Sequence, residues 1–175
     1  MPLCFAYGAN MDAQAMAQRC PRSQALGAAR LMRHRFAIMP QGFANVITDP
    51  RASVHGVLWH IALADMRALD AFEGVRHQLY RKVIQPVMKA AGGSARAIVY
   101  MGEGEGGRAS PQYMADVIAA AKAWDLPPAH VRMLEGFAGG RAVLGGAAMQ
   151  PESAKPEADA PRHKVTPRFA TPFDR

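Results

Sequence analysis

The chain has 175 residues, half of them apolar, and a net charge of +7 from 21 Lys and Arg against 14 Asp and Glu. That is enough material for one domain with a real core and too little for two. No apolar run nears the roughly 18 residues that span a bilayer, no basic-then-apolar leader opens the chain, and the basic residues form no patch with interleaved aromatics; a soluble cytoplasmic protein with no membrane or nucleic-acid partner is expected.

In chain order, Leu3 to Tyr7 is an unbroken apolar run and reads as a short buried strand, stopped by Gly8. A helix over Asp12 to Arg19 follows, with Asn10 or Asp12 as its cap. Strand, glycine turn and helix start together leave the backbone N–H groups of residues 8 to 11 without obvious partners, an arrangement suited to a carboxylate or a developing oxyanion. Cys4 and Cys20 are too few for a metal set. They are expected as buried reduced thiols, with a disulfide between them the alternative.

Ala28 to Leu31 and Phe36 to Met39 read as two strands around a basic turn, the densest basic cluster being Arg30, Arg33, His34 and Arg35. Two more are expected at Ala44 to Thr48, ending at Asp49-Pro50, and at Ser53 to His60. His55 and His60 are five apart on the latter and point to opposite faces, which excludes a shared metal from that strand. Residues 62 to 72 form a helix with Leu63, Met66, Leu69 and Phe72 on one stripe, ending at Glu73-Gly74. A carboxylate at a helix C-terminus lies near the negative end of the dipole, which raises its pKa; burial would raise it further, toward what a general acid or base needs. Taken alone, Glu73 also reads as an ordinary exposed acid before a glycine stop.

Tyr80 to Met88 and Ala95 to Met101 are strands joined by Ala91-Gly92-Gly93-Ser94. Gly102 to Gly107 matches the glycine spacing of dinucleotide sites, but Glu103 and Glu105 would repel a pyrophosphate and no strand-helix-strand repeat surrounds it. A surface loop edging a pocket is the better reading. Ser110 as cap and Pro111 at the first helical position start a helix carrying Tyr113, Met114, Val117, Ile118 and Ala121. Pro128 to Phe137 is a last short helix. Residues 138–175 turn to Gly, Ala, Pro and isolated charges, including Arg162, His163, Lys164 and Arg168. They read as a tail or arm, able to reach across a neighbouring subunit if the chain is a homodimer. Six to seven short strands with three to four helices and no regular alternation exclude a doubly wound sheet and point to an α+β fold, a mixed barrel with helices outside.

Four short motifs carry a resemblance. Tyr7-Gly8-Ala9-Asn10-Met11 after the first strand, Glu73-Gly74-Val75 after a helix, Tyr80 seven residues on, and Ser110-Pro111-Gln112-Tyr113 at a helix start are, in order and rough spacing, similar to the γ-glutamylcyclotransferases over residues 3–137. The resemblance implies a compact α+β barrel and a pocket between glycine loop and glutamate. It implies cyclisation of a γ-glutamyl amide to 5-oxoproline and an amine or amino acid, as in glutathione metabolism. Glu73 would be the general acid/base, with Tyr7, Gly8, Ala9, Asn10, Met11, Tyr80 and Tyr113 around a small γ-glutamyl substrate, and neither metal nor organic cofactor. Ala9 departs from the family's serine and removes one hydroxyl from the loop; Asn10 matches the group with asparagine there, in contrast to a related group that acts on glutathione and has leucine in its loop after the Tyr-Gly-Ser. A non-catalytic small-molecule-binding module on the same barrel remains the alternative.

Overall fold

Five strands close into one barrel, in the order β1-β3-β2-β4-β5, in the computed structural model, which describes residues 1–139. They are β1 (Leu3–Ala6), β2 (Gln24–Ile38), β3 (Ala44–His60), β4 (Tyr80–Lys89) and β5 (Ser94–Gly102). All neighbours are antiparallel except β1 and β5, which meet in parallel at Cys4 and Ile98 and shut the barrel. Four helices pack around it: α1 (Ala13–Arg19), α2 (Met66–Phe72), α3 (Pro111–Ala123) and α4 (Pro128–Ala138).

The α+β barrel agrees with the sequence reading, while the strand count is lower because two pairs of expected strands are continuous. In β2, the basic cluster is no turn. Arg33 adopts a left-handed φ of 59° and forms a bulge, across which the register with β3 slips between Met32/Ser53 and His34/Thr48. In β3, Asp49-Pro50 does not end the strand. The Asp49 carboxylate accepts a hydrogen bond from the Arg51 N–H at 3.0 Å, so the extra residues loop out locally and pairing resumes.

Local signals set most helix starts. Asp12, and not Asn10, caps α1, its Oδ1 accepting from the Ala15 N–H at 2.8 Å. Ser110 caps α3 through the Tyr113 N–H. The helix expected over residues 62–72 begins only at Met66. Asp65, which could have capped it, is buried and instead accepts from the Arg22 N–H and the Ser23 hydroxyl at 2.8 and 2.9 Å. Leu63 is therefore no core residue; it is 76% exposed.

Phe5, Leu31, Val54, Leu58, Val87 and Val99 fill the barrel, each contributing roughly 1.5–3 kcal/mol by burial. Strand β3 comes so near β1 that a Cβ on Gly56 would lie 2.1 Å from the Ala6 carbonyl oxygen. Met114, Val117, Val131 and Leu134 of α3 and α4 close the side beside the β1 end. Cys4 and Cys20 are both buried free thiols, as expected. The last helix runs one residue past the expected boundary at 137, and the tail or arm expected over 138–175 lies, from residue 140, outside the described residues. Among the described residues no helix is long and apolar enough to cross a membrane.

Candidate active site

The end of β1 and the end of α2 meet at the mouth of the barrel. After Ala6 the chain turns through Gly8 into a single 3-10 turn, Ala9–Met11. A Cβ on Gly8 would come within 3.0 Å of the Ala44 Cβ and 3.1 Å of the Tyr113 hydroxyl, so glycine here permits close packing of loop, barrel and α3. Helix α2 stops at Glu73 because Gly74 takes a left-handed φ of 61°. The two stretches are joined directly, Asn10 Nδ2 donating to Glu73 Oε1 at 2.5 Å.

Between them lies a cavity of about 560 Å³ including its open mouth. Seven of the eight residues the sequence singles out line it: Tyr7, Gly8, Ala9, Asn10, Glu73, Tyr80 and Tyr113. Met11 does not. Its side chain is fully buried in the core, and its carbonyl accepts the Trp124 indole N–H at 2.7 Å. Sequence reasoning missed Phe43, Ala44, Phe72 and Tyr100, which also line the cavity. Phe43 arrives from the turn between β2 and β3 and Ala44 from the first position of β3, both far in sequence from the Gly8 loop and Glu73. Gly102 to Gly107 does not line the cavity; it is tied down by buried Asn45, whose amide donates to the carbonyls of Gly102 and Gly104.

The four N–H groups of residues 8 to 11 are less free than the sequence suggests. Met11 donates to the Gly8 carbonyl at 2.9 Å, and Ala9 is engaged by the Tyr113 hydroxyl oxygen. Among the described residues, the Gly8 and Asn10 N–H groups have no hydrogen-bond partner.

The phenols have distinct roles, which follow from where each proton goes. Tyr7 donates to the Tyr100 carbonyl, and Tyr80 donates to the Ala44 carbonyl at 2.5 Å. With their protons committed, both oxygens can only accept. Tyr113 is the reverse. Its oxygen accepts from the Ala44 N–H at 3.1 Å and from Ala9, leaving its own proton to donate. The Tyr100 hydroxyl donates to Asp70 at 2.6 Å, and Asp70 also pairs with Lys82 at 2.7 Å.

Burial raises the Glu73 carboxyl from 4.5 to about 8, a rise opposed by the Arg19 charge, reinforced by Asp70 and opposed again by the Asn10 hydrogen bond. The dominant cause is therefore desolvation. Burial likewise pushes Tyr7, Tyr80, Tyr100 and Tyr113 up, so all four phenols stay protonated, and Glu73 is the lining group that changes charge near neutral pH. The Cys4 thiol is also pushed up by burial, with Glu73 adding to it, which makes it a poor nucleophile. Asp70 lies one helical turn before Glu73, a spacing that sequence inspection could have flagged.

Residues 53–134 match the model of the AIG2-like family, a span that holds Glu73, Tyr80, Tyr100 and Tyr113 but not the Gly8 loop. A solved structure named gamma-glutamyl cyclotransferase aligns with a TM-score of 0.72 at 23% identity, covering 87% of this chain and 93% of that one. An uncharacterized protein from Homo sapiens aligns at 0.71 with 24% identity, over 86% and 92%. The Bacillus subtilis protein YkqA aligns at 0.67 with 21% identity, over 79% of this chain and 54% of its own. At these identities the likeness is one of fold. No curated protein matches the chain in sequence.

Proposed function

Because the chain is γ-glutamylcyclotransferase-like, in the fold of its described residues and in the AIG2-like pattern of residues 53–134, we propose that it cyclises a γ-glutamyl amide, releasing 5-oxoproline and an amine or amino acid. The observation that carries the reading is Glu73. It is a carboxyl poised near neutral pH, in a cavity lined largely by apolar and phenolic side chains, and hydrogen-bonded to the Asn10 amide of the loop after β1.

The reaction uses the substrate's own nucleophile. Ionised Glu73 takes a proton from the α-ammonium, and the freed amine attacks the γ-carbonyl carbon to close a five-membered ring. The tether supplies the effective concentration that a second molecule would lack. The bond from that carbon to the leaving nitrogen then breaks as Glu73 returns the proton to it, and the ring nitrogen gives up its remaining extra proton to solvent as the neutral lactam forms. A pKa of about 8 lets one carboxyl both accept and return the proton near neutral pH. Tyr7 and Tyr80, acceptors only, suit the ammonium, while Tyr113, with its proton unengaged, suits the carbonyl oxygen as charge builds on it. The Gly8 and Asn10 N–H groups are left for the glutamyl carboxylate.

The test is 5-oxoproline release over a panel of γ-glutamyl amides, with Glu73→Gln as the control. Turnover by the parent and its loss in a folded variant are expected. A Glu73→Gln protein that releases 5-oxoproline at the parent rate refutes the role. Thermal protection by the panel without product from the parent would instead mark a binding module.

A further inference from the structure

Arg19 ends α1 behind the cavity wall and does not line the cavity. Its guanidinium sits over the Phe72 ring, Cζ 3.3 Å from the centroid, and its Nη1 donates to Asn10 Oδ1. Among the described residues no carboxylate pairs with it directly. A guanidinium has only donors, so the Asn10 oxygen must face it. The amide is planar, so its NH2 group must then face Glu73, as the Asn10 Nδ2 to Glu73 Oε1 bond shows.

We infer that Arg19 is a positioning residue for Glu73, acting through the Asn10 side chain: it locks the amide so that Oε1 always receives a hydrogen bond and the transferable proton is confined to Oε2. The inference rests on the proposed acid–base role for its catalytic meaning. Its geometry is independent of turnover. Without the cation, a protonated Glu73 could donate to a flipped Asn10 oxygen and hold its proton in a bond that no substrate shares.

Among the described residues, Arg19 is also the lone cation of the groups that face Glu73. The others are Asp70 on α2, Cys4 on β1, Tyr7 just after it, Tyr80 on β4, Tyr100 on β5 and Tyr113 on α3. Replacing Arg19 with a neutral side chain therefore removes the counter-charge and unlocks the amide together.

The test is a carboxyl-carbon NMR titration of Glu73, its signal identified by its absence in Glu73→Gln, on the parent and on Arg19→Met and Arg19→Lys. The Arg19→Met midpoint is expected to rise by roughly one pH unit, and the acidic limb of kcat/KM for 5-oxoproline release to move with it. Arg19→Lys, which keeps a cationic donor, should fall between Arg19→Met and the parent. In the parent, the Asn10 side-chain NH2 resonances should titrate with the Glu73 midpoint, a reading that needs no Arg19 variant. An unchanged midpoint in folded Arg19→Met, or Asn10 resonances indifferent to Glu73, overturns the inference. A shifted midpoint in a protein whose parent releases no 5-oxoproline leaves the positioning intact and refutes the acid–base function instead.

Discussion

A carboxyl held at about 8 in the fold and at 4.5 in the open chain must make stability depend on pH in a defined direction. Between those values the unfolded chain has released the proton and the folded one has not, so the unfolded state gains and stability falls as pH rises. Each tenfold difference in proton affinity corresponds to about 1.36 kcal/mol, which places the full effect at roughly 5 kcal/mol. Glu73→Gln mimics the protonated acid in shape and can still accept from Asn10, yet has no proton to lose. Urea unfolding of both proteins at half-unit steps from pH 4.5 to 9 isolates the difference, because every other titrating group cancels. The variant should match the parent near pH 4.5, gain on it by somewhat more than 1 kcal/mol per pH unit, and level off above pH 8. A difference that stays flat from pH 5 to 8 would show that the carboxyl is not buried in its neutral form, and the account of the cavity would fail with it.

His130 predicts the opposite slope. It is 5% exposed, its Nε2 has no partner among the described residues, and burial lowers it from 6.5 to about 4, so stability is lost as pH falls through that window; relative to His130→Gln the loss should reach about 3 kcal/mol. Gly8→Ala forces a methyl to within 3.0 Å of Ala44 and 3.1 Å of the Tyr113 hydroxyl, and should cost about 1–2 kcal/mol in denaturant unfolding while raising KM. Tyr113→Phe removes the one phenol with an uncommitted proton and should lower kcat roughly 10- to 100-fold, more than it changes KM, in the 5-oxoproline assay. Ser110→Ala removes the cap of α3 and should lower stability by about 1 kcal/mol in the same unfolding measurement, with kcat unchanged.

The sequence by itself determined what depends on neighbours within a turn. Gly8 stops a strand, Asp12 and Ser110 cap helices through N–H groups three residues on, and Gly74 ends α2 so that Glu73 stands at its tip. Barrel strands alternate or run apolar according to how many faces are covered, so an α+β barrel was legible too. Only tertiary structure decided the rest, because it depends on residues distant in the chain. Arg33 could have turned the chain, but opposite β3 it bulges within one strand, and the Asp65 carboxylate turns from the start of α2 to Arg22 and Ser23. Met11 sits beside four cavity residues in sequence and points into the core. Above all, the state of Glu73 is a property of enclosure. Its pKa, the phenols whose protons are committed and Arg19 seated on Phe72 all follow from the desolvation and contacts that barrel closure creates, which no local pattern encodes.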